Sequence, residues 1–241
     1  MKKIVIIVSL LLLSGCATTY RTNSLFENYF DGQKQKTIAM MPPDIKIHRL
    51  TAGGVTELVD EWSDAAKKSI ISLIQEEVKP FRSLALSPFK TEFLNESEVG
   101  FLKEQLGLFN AVSYSIISHT YMPESIFKHK IAHFDYTLGN EIATLGEFSK
   151  ADAFLFCSGR NYIWTSGRVV LSTFGLLLGA AAGVTIVVPA GPEWLAVSLV
   201  DAKTGDVVWF DFIAMPGDLR KEEVDRQHIK RIFSSFPEKW R

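Results

Sequence analysis

The chain has 241 residues, 26 Lys+Arg against 27 Asp+Glu, and 47% hydrophobic residues, length enough to bury the core of one large domain. A formal charge of −1, with no basic stripe interleaved with aromatic residues, argues against nucleic acid as a partner. The sequence carries no Gly-x-x-x-x-Gly-Lys, no Gly-x-Ser-x-Gly and no dinucleotide fingerprint after a strand, so neither an enzyme nor a cofactor is expected.

Lys2 and Lys3 give a basic start, residues 4–13 are an almost unbroken apolar run, and Ser14-Gly15 lead into Cys16. Ten apolar residues are too few for a membrane helix and suit the apolar region of a secretory signal. Leu13-Ser14-Gly15-Cys16 resembles the lipoprotein box of bacterial envelope proteins. The resemblance implies cleavage before Cys16, a diacylglycerol joined to its sulfur, and acylation of the new amino terminus. The alternative is an ordinary cleaved signal with a coincidental cysteine. Ala17, where an aspartate would retain such proteins at the inner membrane, resembles lipoproteins sent on to the outer membrane, which implies a periplasm-facing, lipid-anchored chain. The expected organisation is a signal peptide over 1–15, a lipidated tether over 16–36, and a single periplasmic domain over 37–241 with an apolar insertion at 169–192. With Cys16 lipidated, Cys157 is the last thiol and no intramolecular disulfide can form. Its neighbours Phe154-Leu155-Phe156 make it a buried, inert residue.

Residues 17–36 are polar and without a period, as in a linker, yet Tyr20, Phe26, Tyr29 and Phe30 could dock on the chain's own domain or on a partner. Thr37-Ile38-Ala39-Met40-Met41 reads as a first core strand, stopped by Pro42-Pro43. Leu58, Trp62, Ala66, Ile70, Ile74 and Val78 recur every fourth residue, with Thr56 as cap and Pro80 as stop, and predict a long amphipathic helix. Leu84-Ala85-Leu86 offers a short strand. Asn95 with Glu98 forms a capping box for a helix to about Leu106, closed by Gly107. Residues 111–120 read as the next strand.

His129 and His133 are four apart, the one spacing that could put two imidazoles on a helix face, with Asp135 or His119 as a third ligand. The glutamate of a zinc-protease helix is absent, and no metal is expected. Residues 139–148 read as a short helix. Residues 151–157 are apolar on both alternating faces and predict a central strand covered on both sides. Residues 194–200 and 207–213, flanking Asp201-Ala202-Lys203-Thr204-Gly205-Asp206, predict an antiparallel hairpin, and Val224, His228, Ile229, Ile232, Phe233 and Phe236 a final amphipathic helix before Pro237.

The run over 169–192 holds 24 uncharged residues. As a helix it would span about 36 Å, enough for a bilayer core of about 30 Å, with Gly175, Gly179 and Gly183 aligned in small-xxx-small spacing that suits contact between membrane helices or copies of the chain. A hairpin turning at 179–183 is the second reading, although it lacks the alternation of a pore wall. A buried or oligomer contact is the third. Arg168, at its mouth, either meets phosphate head groups or belongs to a plain turn.

The lipobox, the strand ending in prolines at 38–43, Ala151-Asp152-Ala153, and Leu199-Val200-Asp201 through Thr204-Gly205-Asp206-Val207-Val208-Trp209 before a last helix together resemble periplasmic α/β lipoproteins of the curli-secretion-channel type. Activator lipoproteins of penicillin-binding proteins share that general domain. The resemblance implies an α/β fold: helices layered on a mixed sheet, with a C-terminal antiparallel hairpin and final helix, plus the apolar insertion. It implies work in envelope assembly, docking or regulation through protein contacts or homo-oligomers, or alternatively an oligomeric secretion or pore subunit that inserts 169–192. It carries over no catalytic residue.

Overall fold

A computed structural model of the chain describes residues 20–31, 35–51, 54–122, 126–165 and 191–236. Its centre is the predicted apolar strand, which is longer than the sequence suggests. Strand β6 (Ala153–Trp164) pairs antiparallel with β7 (Trp194–Asp201), which pairs antiparallel with β8 (Val207–Ala214). The opposite edge of β6 is shared by two parallel strands in succession, β2 (Lys36–Met40) and β3 (Asp44–Leu50). Ile38 lies opposite Ala153 and Asp44 opposite Ser158, so the β2–β3 side holds one extra residue. The bulge falls at Met41-Pro42-Pro43, where prolines cannot donate to the ladder. The prolines interrupt the strand, and β3 resumes the pairing.

β5 (Leu84–Pro88) adds parallel outside β2, and β4 (Thr56–Leu58) antiparallel outside β3. At the far edge, β1 (Arg21–Thr22) pairs antiparallel with β8. The result is an open, mixed, eight-stranded sheet.

Helices cover both faces. On one face lie α1 (Asp60–Val78) and α5 (Glu222–Phe233), burying Ala66, Ile70, Ile74, Ile229, Ile232 and Phe233 over Leu155, Cys157 and Val197. On the other lie α2 (Glu96–Thr120) and α4 (Ala143–Ser149), burying Leu102, Phe109, Ile116 and Leu145 over Phe154, Phe156 and Phe210. Phe109 stacks on Phe156 with centroids 4.3 Å apart. A fifth helix, α3 (Lys128–Ala132), buries no residue.

Two expectations are corrected and one alternative left open is decided. Thr56 caps nothing, because residues 56–58 pair with β3 and the helix starts at Asp60 after Val59, which offers no side-chain cap. Ser63, inside the first turn, instead joins helix to sheet: its hydroxyl accepts from Ile47 N–H and donates to the Val59 carbonyl. The capping box at Asn95 and Glu98 is present, but the helix runs through Gly107 to Thr120, so residues 111–120 are helical. A glycine costs about 1 kcal/mol in a helix. Gln105, Phe109, Ser113, Ile116, Ile117 and Thr120 keep one buried face beyond it, and that packing overrides the local strand preference.

The third concerns the polar segment read as tether. Phe26, Tyr29 and Phe30 are buried in the α1–α5 layer, Phe26 against Phe236 at 6.3 Å. The Tyr29 hydroxyl donates to Asp201 Oδ2 at 2.7 Å. Burial, then the charge and hydrogen bond of Asp201, push that hydroxyl's pKa up. Of the two partners open to these aromatic residues, the described structure shows the chain's own domain.

Candidate functional site

β6 and β3 extend past the helices on one face. Directly opposed residues of parallel strands point to the same side, so Lys46 with Arg160, His48 with Tyr162, and Leu50 with Trp164 form successive rungs beyond the Phe154–Phe156 layer. The face changes there from phenylalanine to arginine, tyrosine and tryptophan. Along it Leu50 is buried, while Trp164 is 40% exposed.

The lower rungs are tied together by Asp44. Arg160 Nη2 donates to Asp44 Oδ2 at 2.7 Å, its Nη1 to the Asp44 carbonyl at 2.9 Å, and Asn110 Nδ2 reaches down from α2 to the same Oδ2 at 2.8 Å. Lys46 Nζ lies 3.6 Å from Asp44 Oδ1. Burial alone would raise this carboxyl. The hydrogen bond and charge of Arg160, with Lys46 and Asn110, hold it below the usual carboxylate range. The Arg160 guanidinium lies 5.6 Å from the Trp194 ring centroid, a cation–π contact across to β7. His48 stacks on Tyr162 at 5.1 Å, and burial, then the charges of Arg160 and Lys46, hold its imidazole below its ordinary pKa.

These rungs are the stem of the 169–192 segment. Arg160 is in register with Trp194, so the chain leaves β6 and re-enters β7 on neighbouring strands at one end of the sheet. The re-entry is fixed by Glu193, whose Oε1 accepts from Tyr162 N–H at 3.0 Å and whose carbonyl accepts from Met215 N–H. Burial raises the Glu193 carboxyl and the Tyr162 N–H offsets part of that rise. A Cβ on Gly191 would run into the Tyr162 ring and hydroxyl. Beside the stem, Asn161 holds the chain after β8, donating to the Gly217 carbonyl and accepting from Leu219 N–H. Met215 takes a left-handed φ of 47° and is 79% exposed, and Val55 is 64% exposed. The end of the sheet around the stem thus presents apolar and aromatic side chains to solvent, with Lys46 and Arg160 set just behind.

Cys16, Arg168, Gly175, Gly179 and Gly183 lie outside the described residues. Cys157 is buried, and burial, then the Asp225 charge, raise its thiol pKa, as in an inert core cysteine. His129 sits on α3 and His133 just after it, while Asp135 is held by Lys130 at 2.6 Å and His119 Nδ1 faces the Tyr136 hydroxyl at 3.3 Å. Among the described residues no group of three or more His, Cys, Asp or Glu could hold a metal ion, and no helix is long and apolar enough to cross a membrane. The sequence reading ended the strand at 157 and missed the stem; the period-two spacing of Arg160, Tyr162 and Trp164 is the signal that could have found it.

No protein-family model and no curated protein matches the chain. Among solved structures it is similar to the PelC dodecamer of Paraburkholderia phytofirmans (9% identity, 83% of this chain and 86% of that one, TM-score 0.33). It is similar to the LpoB C-terminal domain of Salmonella enterica (12% identity, 78% and 88%, TM-score 0.27). A third is described as a neuraminyllactose-binding hemagglutinin homolog of Helicobacter pylori (11% identity, 86% and 90%, TM-score 0.36). At TM-scores this low the likenesses carry no argument about function.

Proposed function

We propose that the chain is an outer-membrane-anchored lipoprotein whose periplasmic α/β domain works by contact, as a non-enzymatic assembly, docking or regulatory component of the cell envelope. One observation carries this reading: β1, the first described strand after the lipobox, pairs with β8 and, traced backwards, points toward the end of the sheet where β6 stops and β7 begins. β1 is antiparallel to β8, with Arg21 opposite Phe210, so β1 traced backwards runs as β8 does, toward Ala214 and its partner Trp194. Cys16 and Tyr20 are four residue steps apart, a reach of about 14 Å at most. The four steps along the strand from Phe210 to Ala214 cover about 13 Å. A lipid on Cys16 is therefore, by length, within reach of the end of the sheet where Trp164, Val55 and Met215 are exposed. Tryptophan and tyrosine favour a membrane boundary because they are apolar in body and polar at one tip.

The test is membrane fractionation with a carbonate wash, comparing the native chain, Cys16→Ala behind an ordinary cleavable signal, and Cys16→Ala lacking 169–192. A docking lipoprotein becomes soluble once Cys16 is replaced. A Cys16→Ala chain that resists carbonate and is released by the deletion supports the second reading, an oligomeric secretion or pore subunit.

The Arg160–Trp194 register favours a specific form of that second reading. A segment that departs and returns on neighbouring strands crosses a bilayer an even number of times, if it crosses at all. Twenty-four residues suffice for two strand crossings of about 9–11 residues each, and not for two helices of about 20. Two strands in lipid need neighbours to satisfy their edges, so this form also requires copies of the chain side by side.

A further inference from the structure

Residues 20–31 have the composition of a linker, yet they are tied to the sheet and to both helical layers. Beside the pairing of β1 with β8, Asn23 N–H donates to the Val208 carbonyl at 3.1 Å. On the α2 side, Arg21 Nη2 donates to the Thr120 carbonyl at 2.7 Å. On the α5 side, Phe26 is 1% exposed and meets the rings of Tyr20 and Phe236, with centroids 6.0 and 6.3 Å away. Farther along, the Tyr29 hydroxyl lies 2.7 Å from Asp201 Oδ2 and 3.1 Å from the Asp152 carbonyl, and Lys36 Nζ sits 4.5 Å from the Tyr29 ring centroid.

This docking sets how far the domain can stand from its anchor. Cys16 and Tyr20 are four residue steps apart, about 14 Å at most. Were residues 20–35 a free linker, the first fixed point would be Lys36 at the start of β2, about 20 steps and about 70 Å away at most. Burying Phe26, Tyr29 and Phe30 therefore gives up most of the reach that the segment could supply. A short reach adds nothing toward a soluble partner, which diffuses to the domain in any case, and it prevents the domain from travelling to one fixed at a distance. What it raises is the effective concentration toward molecules confined to the same membrane, because both then share one thin layer.

We propose that residues 20–31 are a strap that holds the domain at the surface of the membrane carrying Cys16, and that its partner is a protein confined to that same membrane. The proposal rests on the lipid-anchor reading and goes beyond it, since an anchored chain on a free tether would serve a distant partner equally well.

Two readouts test it. In the first, the native lipidated chain is reconstituted in vesicles of phosphatidylethanolamine and phosphatidylglycerol that carry acceptor dyes on their head groups. A donor dye is placed on Met215→Cys or Lys203→Cys, both exposed and at opposite ends of the sheet. Cys157 is buried and does not compete for the label. The comparison is the same chain with a flexible Gly/Ser segment of about 20 residues inserted between Thr19 and Tyr20, which adds about 25 Å of root-mean-square reach. The insertion lies outside the docked segment, and an unchanged urea midpoint confirms the fold. The expected result is energy transfer from at least one site in the native chain, falling by about half or more at that site on insertion. Equal transfer with and without the insertion overturns the strap, because the segment would then be undocked or the domain would adhere to lipid by itself. In the second readout, a photo-reactive residue at position 215 is activated in cells and its adduct identified by mass spectrometry. An outer-membrane protein, further copies of this chain included, supports the proposal; a soluble periplasmic or inner-membrane protein overturns the partner assigned. Failure of the lipid-anchor reading shows separately, as a chain that does not float with the vesicles and an unmodified Cys16 in its mass spectrum.

Discussion

Asp225 makes the stability of this domain depend on pH in a way that one substitution removes. The residue lies on α5, facing α1, with no exposed surface, and neither carboxyl oxygen completes a hydrogen bond. Burial is the largest influence and raises its pKa. The Ser69 hydroxyl across on α1 opposes this weakly, its own geometry falling short of a hydrogen bond, while the charges of Asp218 and Glu222 raise the value further, to about 7. The folded state therefore binds a proton that the unfolded state, near 3.8, releases. Stability falls as pH rises from the unfolded value to the folded one, and the loss is complete above pH 7. At about 1.36 kcal/mol per unit the full loss is about 4 kcal/mol, most of which develops between pH 5 and 8. Asp225→Asn keeps the shape and cannot ionise. Urea unfolding of the two chains, followed by tryptophan fluorescence at pH 5, 6, 7 and 8, should show the variant gaining about 2–3 kcal/mol on the wild type across that range. Taking the difference cancels other titrating groups such as Asp211, which burial raises to about 6 against the opposing charge of Arg231. Parallel curves would rule this origin out, because they would mean that the carboxylate is ionised in the fold at no cost.

Phe26→Ala empties a core site 1% exposed and should cost about 3–4 kcal/mol in urea unfolding, whereas a tether residue would cost nothing measurable. Gly205 has φ of 76°, and a Cβ there would strike the Gly139 carbonyl, so Gly205→Ala should lose at least about 2 kcal/mol and lower the melting temperature accordingly. Asn95→Ala removes the capping box of α2 and should cost about 1 kcal/mol, a fall in Tm of about 2–4 °C by calorimetry. Trp164→Ser with Met215→Ser should leave the urea midpoint unchanged and reduce the share of the native chain retained with membranes after a high-salt wash, as both side chains are exposed beside the stem.

The parts of the fold written as simple periods were legible. Residues 151–157 show two apolar faces and do lie at the centre of the sheet, and the turn chemistry at Asp201–Gly205 marks the hairpin, with Asp201 Oδ1 accepting from the Lys203 and Thr204 N–H groups. What stayed hidden depends on contacts distant in sequence. β3 alternates Ile45 and Ile47 with Lys46 and His48, a plain strand signal masked by the prolines before it, which act as a bulge and not as an end. Gly107 misleads because the packing of Phe109 and Ile116 outweighs one glycine. The N-terminal segment is polar in composition, and three aromatic rings fix it by burial that no local pattern announces. In the candidate site, Arg160, Tyr162 and Trp164 fall past the expected end of the strand at 157, and their partners Asp44, His48 and Asn110 come from β3 and α2, so only the tertiary fold joins them.

Attachment through Cys16 underlies the docking reading. Mass spectrometry of the N-terminal peptide, from the native chain purified out of the outer-membrane fraction, tests it without intermediaries. The expected peptide begins at Cys16 and carries a diacylglyceryl thioether with an acylated amino group. A peptide beginning elsewhere, or a Cys16 with a free thiol and a free amine, would show that the chain is not held by lipid.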